Sequence, residues 1–580
     1  MRKAPSSASS VPPSSLSVVV GTFLLAVITT LVCSGNGNSD GVKFYAQGFV
    51  VKAPTAFVYS SVRGGGVADG PSTTDSRSVL FSSTTTTTDN DDTTTTVVPS
   101  WDNLESELKD IQAEEEPSPT PLLTLYRDTN GWCPFCERVW IAIIAKGIPY
   151  QETLVSLQNK PEWFKQMVPT GLVPAVLFHG DDDSTETTDD GKNNTSRTLV
   201  WESDAILYAL DDMFPETPRL MHDDNEEFKT AMDMQNRLQS AGFQYLYGGR
   251  NETTTEEERD TLRKKFEGVL DELDSALRDQ YYASGGDTDD SVSDSGGCFR
   301  LGKEFSGVDA MMIPTLERWR YQLPINEQLD ILENRSHLQK WFEHMDQFPP
   351  YADRVAGDAY SWTAVTSTFL RYFGGGEDKP EVAAKIQHAD EVSTQLTSQF
   401  ISDYEDKKMS MDVDRFRSCA MEAVTKLITN HEAVVSDCVR EEPLSQKHLV
   451  RASAAHRETA DVLLRYVASV MLQASKPARL RAISAIDLAA VGLEISSQSR
   501  YPKLAAIMDN TIERTQGSLA VRTVASRLSV PRDMGAGAAA HLRAVLTVVA
   551  EALEEDAAAE AGVAMAVDAG VAIAVEQLQR

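Results

Sequence analysis

The stretch from Leu122 to Leu157 most constrains the fold, because two strand-like runs flank a CPFC motif and a helix-like run there. LLTLYR has the composition of a strand, CPFCERVWIAIIAKG predicts an amphipathic helix closed by Gly147, and IPYQETLVSL predicts a second strand. Farther along, GLVPAVLF and TLVWES predict two more strands, and SDAILYALDDMF predicts a helix. The order β-α-β, then β-β-α, is that of a thioredoxin-like α/β domain, which we place at residues 121–222.

The rest of the chain has the pattern of helices. Residues 223–375 carry apolar side chains at every third or fourth position, which predicts a helix bundle. Within this range, Ser306 precedes Asp309 by three residues before an apolar run, so we predict a capping box. Residues 380–580 contain long Ala-rich amphipathic stretches and predict an additional all-α domain. Two acidic insertions, GDDDSTETTDDGKNNTSR and SGGDTDDSVSDSGG, predict solvated surface loops.

Composition excludes some classes of function. The chain has 580 residues and a formal net charge of -32, whereas binding nucleic acid requires clustered Lys and Arg. We therefore expect no nucleic-acid partner. Six cysteines are too few for a disulfide scaffold, and only Cys133 and Cys136 are closely spaced.

The first 120 residues have the pattern of a targeting region. Arg2 and Lys3 precede an apolar run that ends near Ser34, which predicts a signal peptide or a membrane anchor over residues 1–34. The following Ala-Phe step at Phe57 resembles the bipartite plastid presequences of algae. We interpret residues 35–120 as a transit peptide and a disordered Ser/Thr-rich linker. Plastid import is the expected localisation, and the secretory pathway or membrane anchoring is the alternative.

The CPFC motif places a thiol where a helix begins. Pro134 suits the first helical position, so Cys133 would be the N-cap residue, where unpaired N–H groups favour a thiolate. Cys136 follows one turn later and could resolve a disulfide on Cys133. A buried structural pair is an alternative, but a zinc site lacks a second pair of ligands, so we expect no metal. Trp132 either walls a second-substrate pocket or only packs.

Several motifs together resemble one family. CPFC, LQNKPEWFKQMVPTGLVPAVLF, WESDAI and the capping box in SGVDAMMIP resemble the cysteine-type glutathione transferases, which include the omega, lambda and dehydroascorbate-reductase-like classes. PPYADRVAGDAYSWTAVTSTFLRYFGG and the tail containing SVPRDMGAG look like the iota class of photosynthetic organisms, which carries a C-terminal helical extension. The resemblance implies a thioredoxin-like domain, an all-α glutathione-transferase C-terminal bundle and an additional all-α domain.

The resemblance also implies roles for single residues. Cys133 would form a mixed disulfide with glutathione. Val173 would pair through its backbone with the cysteinyl part of glutathione, and Pro174 would be a cis proline that turns this backbone towards the ligand. Glu202 and Ser203 would hold the γ-glutamyl end, since Ser203 stands where a helix begins.

The expected function follows from the thiol. Lys160 would supply positive charge near the glycyl carboxylate, or it is an ordinary surface lysine. A catalytic cysteine favours glutathione-dependent thiol oxidoreduction with glutathione as co-substrate: thiol transfer, deglutathionylation or dehydroascorbate reduction. The second substrate would be a disulfide, a glutathione adduct or an electrophile. Alternatives are a non-catalytic protein that binds glutathione or docks a protein partner through residues 380–580, and a conjugating transferase. The oligomeric state does not follow from the sequence.

Overall fold

The computed structural model describes residues 97–113, 119–179, 198–248, 254–284, 298–372, 378–440, 451–476 and 486–554. The targeting segments predicted before residue 97 lie outside the described residues. The same is true of the first acidic insertion, residues 180–197, and of nearly all of the second, residues 285–297.

The first described helix, α1 (Trp101–Ala113), lies in the stretch that we predicted to be a disordered linker, and the prediction is wrong over this helix. Its apolar side chains recur every three or four positions and are buried: Leu104, Leu108 and Ile111. They join an apolar core formed by residues beyond 400, and Trp101 Nε1 donates to Asp461 Oδ1 at 2.7 Å. The charged residues between the apolar positions dominate the composition, but they lie on the other face of the helix.

Four strands form one sheet in the order β2-β1-β3-β4. The strands are β1 (Leu123–Asp128), β2 (Tyr150–Val155), β3 (Ala175–Phe178) and β4 (Thr198–Trp201). The helices of this domain are α2 (Pro134–Ala145), α3 (Glu162–Met167) and α4 (Ser203–Met213). β1 and β2 are parallel because α2 connects them, and β3 is antiparallel to both β1 and β4. The predicted thioredoxin-like α/β domain is confirmed.

The register of the sheet brings three strand ends to one edge. Tyr126 of β1 pairs with Ala175, the first residue of β3. Ala175 in turn pairs with Trp201, the last residue of β4. The C-terminal ends of β1 and β4 therefore lie beside the N-terminal end of β3. The candidate site lies at this edge of the sheet.

A bundle of helices packs against α2, which lies between the bundle and the sheet. It consists of α5 (Glu226–Phe243), extended by a π-helical turn at Gln244–Gly248, and of α6 (Glu256–Ala283), α7 (Gly307–Glu327), α8 (Ser336–Met345) and the short α9 (Pro349–Ala352). Sheet and bundle share one apolar core, which includes Trp140, Phe178, Phe266, Trp319 and Trp341. The predicted helical domain is confirmed. It packs against the side of α2 that faces away from β1 and β2.

The predicted capping box begins α7. The Asp309 carboxylate accepts from the backbone N–H of Ser306 at 3.1 Å and from the Ser306 hydroxyl at 2.7 Å. It also accepts from the backbone of Arg300 at 2.7 Å and from Trp341 Nε1 at 3.0 Å. Four donors thus satisfy one fully buried carboxylate, which fixes the start of the helix that faces α2.

The remaining helices begin after residue 358, and residues beyond 400 form a second core together with α1. These helices are α10 (Ala359–Tyr372), α11 (Pro380–Ser410), α12 (Val413–Thr429), α13 (His431–Cys438), α14 (Arg457–Ser475), α15 (Leu488–Glu494), α16 (Pro502–Met508), α17 (Thr511–Arg527) and α18 (Ala536–Glu554). We call residues 380–554 the extension. Among the helices that the structure describes, α18 alone is long and apolar enough to cross a membrane, but 67% of its apolar window is buried inside the protein. It is a core helix of the extension.

Candidate functional site

Cys133 is the N-cap residue of α2, as the sequence predicts. Its backbone is extended, with φ -78° and ψ 112°, and Pro134 takes the first helical position. Because the first N–H groups of a helix have no partner within it, the Cys133 sulfur lies where a negative charge is stabilised. The thiol is half-buried, whereas Cys136, one turn later, is fully buried.

The two thiols are unequal in acidity. The Cys136 S–H donates to Cys133 and, with the backbone N–H groups of Cys136 and Phe135, lowers the pKa of Cys133 below its ordinary value. Burial raises the pKa of Cys136 well above its ordinary value, and the hydrogen bond to Cys133 adds to this effect. Cys133 therefore ionises first, and Cys136 remains a thiol that can donate.

A buried carboxylate, Asp128 at the end of β1, adjoins the two thiols. A carboxylate oxygen of Asp128 and the sulfurs of Cys133 and Cys136 all lie within 4.8 Å of one another. Asp128 Oδ2 accepts from the backbone N–H of Trp132 at 2.7 Å, while the buried Oδ1 has no hydrogen-bond partner in the described part of the chain. Sequence reasoning missed Asp128, although a charged residue ending a buried strand five positions before Cys133 was a signal.

These three side chains do not complete a metal site by themselves. Structural zinc takes four protein ligands, and the described residues place only Asp128, Cys133 and Cys136 in this group. The S–H of Cys136 is also engaged as a donor to Cys133. The arrangement fits thiol exchange better than metal binding.

The strand ends bring the sequence-predicted ligand residues to the same edge. The Val173–Pro174 bond is cis, as the resemblance implies. Val173 belongs to the apolar cluster that contains Cys136 and against which Cys133 packs. Ala175 pairs with Trp201, the last residue of β4, so Glu202 and Ser203 come directly after the neighbouring strand.

Glu202 and Ser203 stand at the start of α4. Glu202 is its N-cap residue and adopts φ +73°, a left-handed backbone that places the chain in an unusual turn. Burial and, to a smaller extent, Asp204 raise the pKa of the Glu202 carboxyl. The buried Ser203 hydroxyl donates to Asp204 Oδ1 at 3.1 Å. The turn thus presents polar groups and the first N–H groups of a helix together.

Lys160 precedes α3 and is half-buried. Burial lowers its pKa, whereas the charges of Cys133 and Cys136 act in the opposite direction. Its role at the glycyl carboxylate stays a prediction.

We call residues 129–132, between β1 and Cys133, the thiol turn. Within it, Trp132 contacts the helices beyond the bundle. Its ring centroid lies 5.3 Å from that of Phe369 in α10, with the two planes inclined by 58°. The buried Trp132 Nε1 has no hydrogen-bond partner among the described residues. The aromatic pair adjoins Cys133, and sequence reasoning gave no indication of Phe369.

Arg318 of α7 holds the same turn from the bundle. Its Nε donates to the Trp132 carbonyl at 3.2 Å, and Nη2 reaches the Gly131 carbonyl at 3.4 Å. Nη1 donates to Glu137 Oε2 of α2 at 2.7 Å. The guanidinium also stacks over Trp362 of α10, 4.6 Å from the ring centroid. No local sequence pattern identifies this residue.

Two family models match the chain. Residues 132–213 match "Glutathione S-transferase, N-terminal domain", and residues 256–344 match "Glutathione S-transferase, C-terminal domain". The chain therefore contains a glutathione-transferase N-terminal domain of thioredoxin-like fold and the helical C-terminal domain that accompanies it.

The similar proteins carry the name glutathione S-transferase. Glutathione S-transferase omega-1 of Sus scrofa is 26% identical over 235 residues, which cover 40% of this chain and 80% of that protein. Glutathione S-transferase DHAR3, chloroplastic, of Arabidopsis thaliana is 36% identical over 88 residues, 15% of this chain and 28% of that protein. The matched part thus spans less than a third of the second relative. Among solved structures, the dehydroascorbate reductase of Chlamydomonas reinhardtii is 21% identical, covers 43% of this chain and 98% of its own, and has a TM-score of 0.32.

Proposed function

We propose that the protein is a glutathione-dependent thiol oxidoreductase that acts through a mixed disulfide between Cys133 and glutathione. The observation that carries the proposal is the position of Cys133 at the N-cap of α2, with the Cys136 sulfur within 4.8 Å of the Cys133 sulfur. The Cys136 thiol also lowers the pKa of Cys133. The thiolate is the reactive form in thiol exchange. The names of the relatives, an omega transferase and a DHAR-type transferase, support the same chemistry.

The reaction has two exchanges in this proposal. The Cys133 thiolate attacks the glutathionyl sulfur of a mixed disulfide, the S–S bond breaks, and the departing thiolate takes a proton. A second glutathione thiolate then attacks the sulfur of glutathione bound to Cys133, which releases oxidised glutathione and restores the Cys133 thiolate. In a dithiol variant, the Cys136 thiol gives its proton to the nearby Asp128 carboxylate and attacks the Cys133 sulfur of the mixed disulfide. The bond from Cys133 to glutathione breaks, glutathione leaves and takes up a proton, and two further glutathione molecules reduce the Cys133–Cys136 disulfide.

The residues at the sheet edge would bind the peptide of glutathione. In this proposal the Val173 backbone next to Pro174 pairs with the cysteinyl unit. Glu202 and Ser203 hold the γ-glutamyl end, for which the start of α4 supplies N–H groups. Lys160, which is half-buried, faces the glycyl carboxylate.

The second substrate lies on the side of Trp132 and Phe369 in this proposal. The aromatic pair adjoins Cys133 and offers an apolar surface for the part of a substrate that leaves during exchange. Glutathione adducts of proteins or small molecules and dehydroascorbate are the classes that we propose. The SVPRDMGAG segment and the helical extension further support placing the chain near the iota class.

Activity assays with cysteine variants test the proposal. The full chain should reduce a glutathionyl-mercaptoethanol disulfide and, in a parallel assay, dehydroascorbate, both with glutathione in excess. Cys133→Ser should lose at least about a hundredfold in rate, because a hydroxyl does not form the mixed disulfide. Cys136→Ser is the matched control, which retains activity if the second exchange uses glutathione.

Mass spectrometry after incubation with oxidised glutathione distinguishes the two routes. One glutathione added to Cys133 supports the monothiol route, and a disulfide between Cys133 and Cys136 supports the dithiol route. Wild-type protein that binds glutathione but reduces neither substrate would favour the non-catalytic alternative. Equal activity in Cys133→Ser would remove this residue from the mechanism.

We also propose a plastid location. The support is the Ala-Phe step at Phe57 after an apolar run, together with a relative whose name includes "chloroplastic". Fusion of residues 1–96 to a fluorescent protein in an alga with a plastid of secondary origin tests it. Fluorescence confined to the endoplasmic reticulum or the cell exterior would contradict the proposal.

A further inference from the structure

The extension reaches the turn that carries the thiol. We call residues 529–537, the sequence SVPRDMGAG, the docking segment. A Cβ atom placed on Gly131 would lie 3.0 Å from Cγ of Pro531 and 3.7 Å from the backbone nitrogen of Arg532. Gly131 has φ +69° and is two residues before Cys133. The Pro531 ring therefore packs against the backbone of the thiol turn, where even a methyl group on Gly131 would be in tight contact with the ring.

The docking segment is anchored on the α10 side and on the bundle side. The Val530 N–H donates to the Ser361 hydroxyl of α10 at 2.9 Å, and this bond is buried. The Arg354 Nη1 donates to the Pro531 carbonyl at 2.7 Å. The Arg354 guanidinium also stacks over Trp140 of α2, 4.4 Å from the ring centroid. Arg354 thus links the Pro531 ring, which contacts Gly131, to α2, the helix whose N-cap residue is Cys133.

A second close approach fixes the other end of the docking segment. A Cβ atom on Gly535 would lie 1.8 Å from the Asp353 carbonyl oxygen, so the two backbones touch. The Gly535 N–H donates to Glu422 of α12 at 3.1 Å, and Asp353 pairs with Arg415 of α12. Two glycines, one in the thiol turn and one in the docking segment, permit these close contacts.

The thiol turn is held by the docking segment and by Arg318 together. Arg318 binds the carbonyls of Gly131 and Trp132, while Pro531 covers the Gly131 Cα. A displacement of about 1 Å at a reacting group can cost about a hundredfold in rate. Because Cys133 immediately follows this turn, a loosened turn would move its sulfur away from the α2 N–H groups and from Cys136.

We propose that the docking segment is a positioning element of the thiol site, and that Pro531 keeps Cys133 in place through Gly131. The extension then has a defined use in thiol chemistry, which the exchange reaction alone does not give it. The proposal rests on the proposed function only in that Cys133 is the reacting thiol.

A double-mutant cycle in the full chain tests the contact. The variants are Gly131→Ala, Pro531→Ala and the double variant, and the readout is the second-order rate of Cys133 alkylation by iodoacetamide as a function of pH. Pro531→Ala should lower the rate at neutral pH at least about threefold and move the pH midpoint upward. Gly131→Ala should lower the alkylation rate further, because the new methyl group contacts the Pro531 ring. The positive φ at this position also disfavours alanine, whether residue 531 is proline or alanine. The double variant should react at least about threefold faster than the product of the two single losses predicts.

Two further variants keep the result interpretable. Arg354→Met withdraws the donor from the Pro531 carbonyl while keeping apolar bulk against Trp140, and it should move the alkylation midpoint in the same direction. Val549→Ala, in α18, opens a cavity in the core of the extension away from the turn and should leave the midpoint unchanged.

The outcomes separate the inference from the proposed function. Additive losses in the cycle, or a wild-type profile in both Pro531→Ala and Arg354→Met, would overturn the positioning role. Because alkylation uses no glutathione, coupling between Gly131 and Pro531 would stand even if the protein reduced no glutathione disulfide. Coupling together with glutathione-dependent reduction supports both statements.

Discussion

Arg318 and Glu137 form a buried ion pair across the interface of the two transferase domains, with Nη1 and Oε2 2.7 Å apart. Arg318 comes from α7, and Glu137 from the first turn of α2. The same guanidinium donates to the carbonyls of the thiol turn. A single side chain thus joins the bundle, the turn that precedes Cys133 and the helix that follows it.

Removal of this guanidinium should destabilise the protein strongly. Arg318→Gln would leave the buried Glu137 carboxylate without its charged partner, which typically costs about 3–5 kcal/mol of unfolding free energy. Urea unfolding followed by tryptophan fluorescence measures the effect. Arg278→Gln is the control, because the Arg278–Asp279 pair is exposed and should contribute less than about 1 kcal/mol. Similar unfolding midpoints for the two variants would show that the buried Arg318–Glu137 pair contributes no more to stability than the exposed pair.

The acidity of Cys133 should depend on the donor at position 136. Cys136→Ala removes the S–H that stabilises the Cys133 thiolate, so the pKa of Cys133 should rise. A hydrogen bond to a charged group contributes about 1.5–3 kcal/mol, which corresponds to about one to two pH units. Iodoacetamide alkylation across pH measures the shift. Cys136→Ser keeps a donor and should shift less, whereas equal shifts would show that the hydrogen bond is not the cause.

A carboxyl pair at the domain interface predicts that stability falls as pH rises above the ordinary carboxyl range. Burial, and then the charge of Glu137, raise the pKa of Glu317 well above its ordinary value, and burial also raises that of Glu137. A carboxyl whose pKa is raised in the folded state stabilises the fold at low pH, and this contribution disappears as pH rises through the folded-state pKa.

Glu317→Gln tests this pH dependence. The amide keeps an oxygen for the Gly357 N–H but does not ionise. The difference in unfolding free energy, variant minus wild type, should therefore increase as pH rises from acidic to alkaline values. Urea unfolding at several pH values measures this difference. Parallel curves would mean that Glu317 does not titrate at this interface.

Two helical glycines should respond to alanine with opposite signs. A Cβ on Gly242 of α5 would lie 2.2 Å from the buried Trp319 ring, so Gly242→Ala should cost about 1–3 kcal/mol through overpacking. A Cβ on Gly268 of α6 would meet nothing within 4 Å, and Gly268→Ala should stabilise by about 0.5–1 kcal/mol. Thermal unfolding by circular dichroism compares them. A loss of similar size at both positions would contradict the packing argument at Gly242.

Local chemistry made much of the fold predictable. The N-cap position of Cys133 follows from Pro134, and the start of α7 follows from Ser306 and Asp309, because caps are set by residues within one turn. The strands of the sheet follow from short apolar runs between turn signals. Helix α1 was missed because its buried face has only a few apolar residues among many charges.

The parts of the site that were not predicted come from distant segments. Arg318 and the Trp132 carbonyl are 186 residues apart, and Pro531 contacts Gly131 from the far end of the extension. Only the packing of three units brings these residues together, and neither the periodicity nor a motif near Cys133 encodes it. Asp128 differs, since it is local and its position at the end of β1 was readable from the sequence.

The packing of α1 also affects the protein during its synthesis. Trp101 and its partner Asp461 are separated by 360 residues. At translation rates of about 5–20 residues per second, the apolar face of α1 leaves the ribosome on the order of tens of seconds before the helices that will cover it. During that interval the thioredoxin-like domain and the bundle can already fold. The nascent chain therefore exposes the apolar residues of α1 until the extension is complete, and this interval is when α1 is most open to non-native contacts.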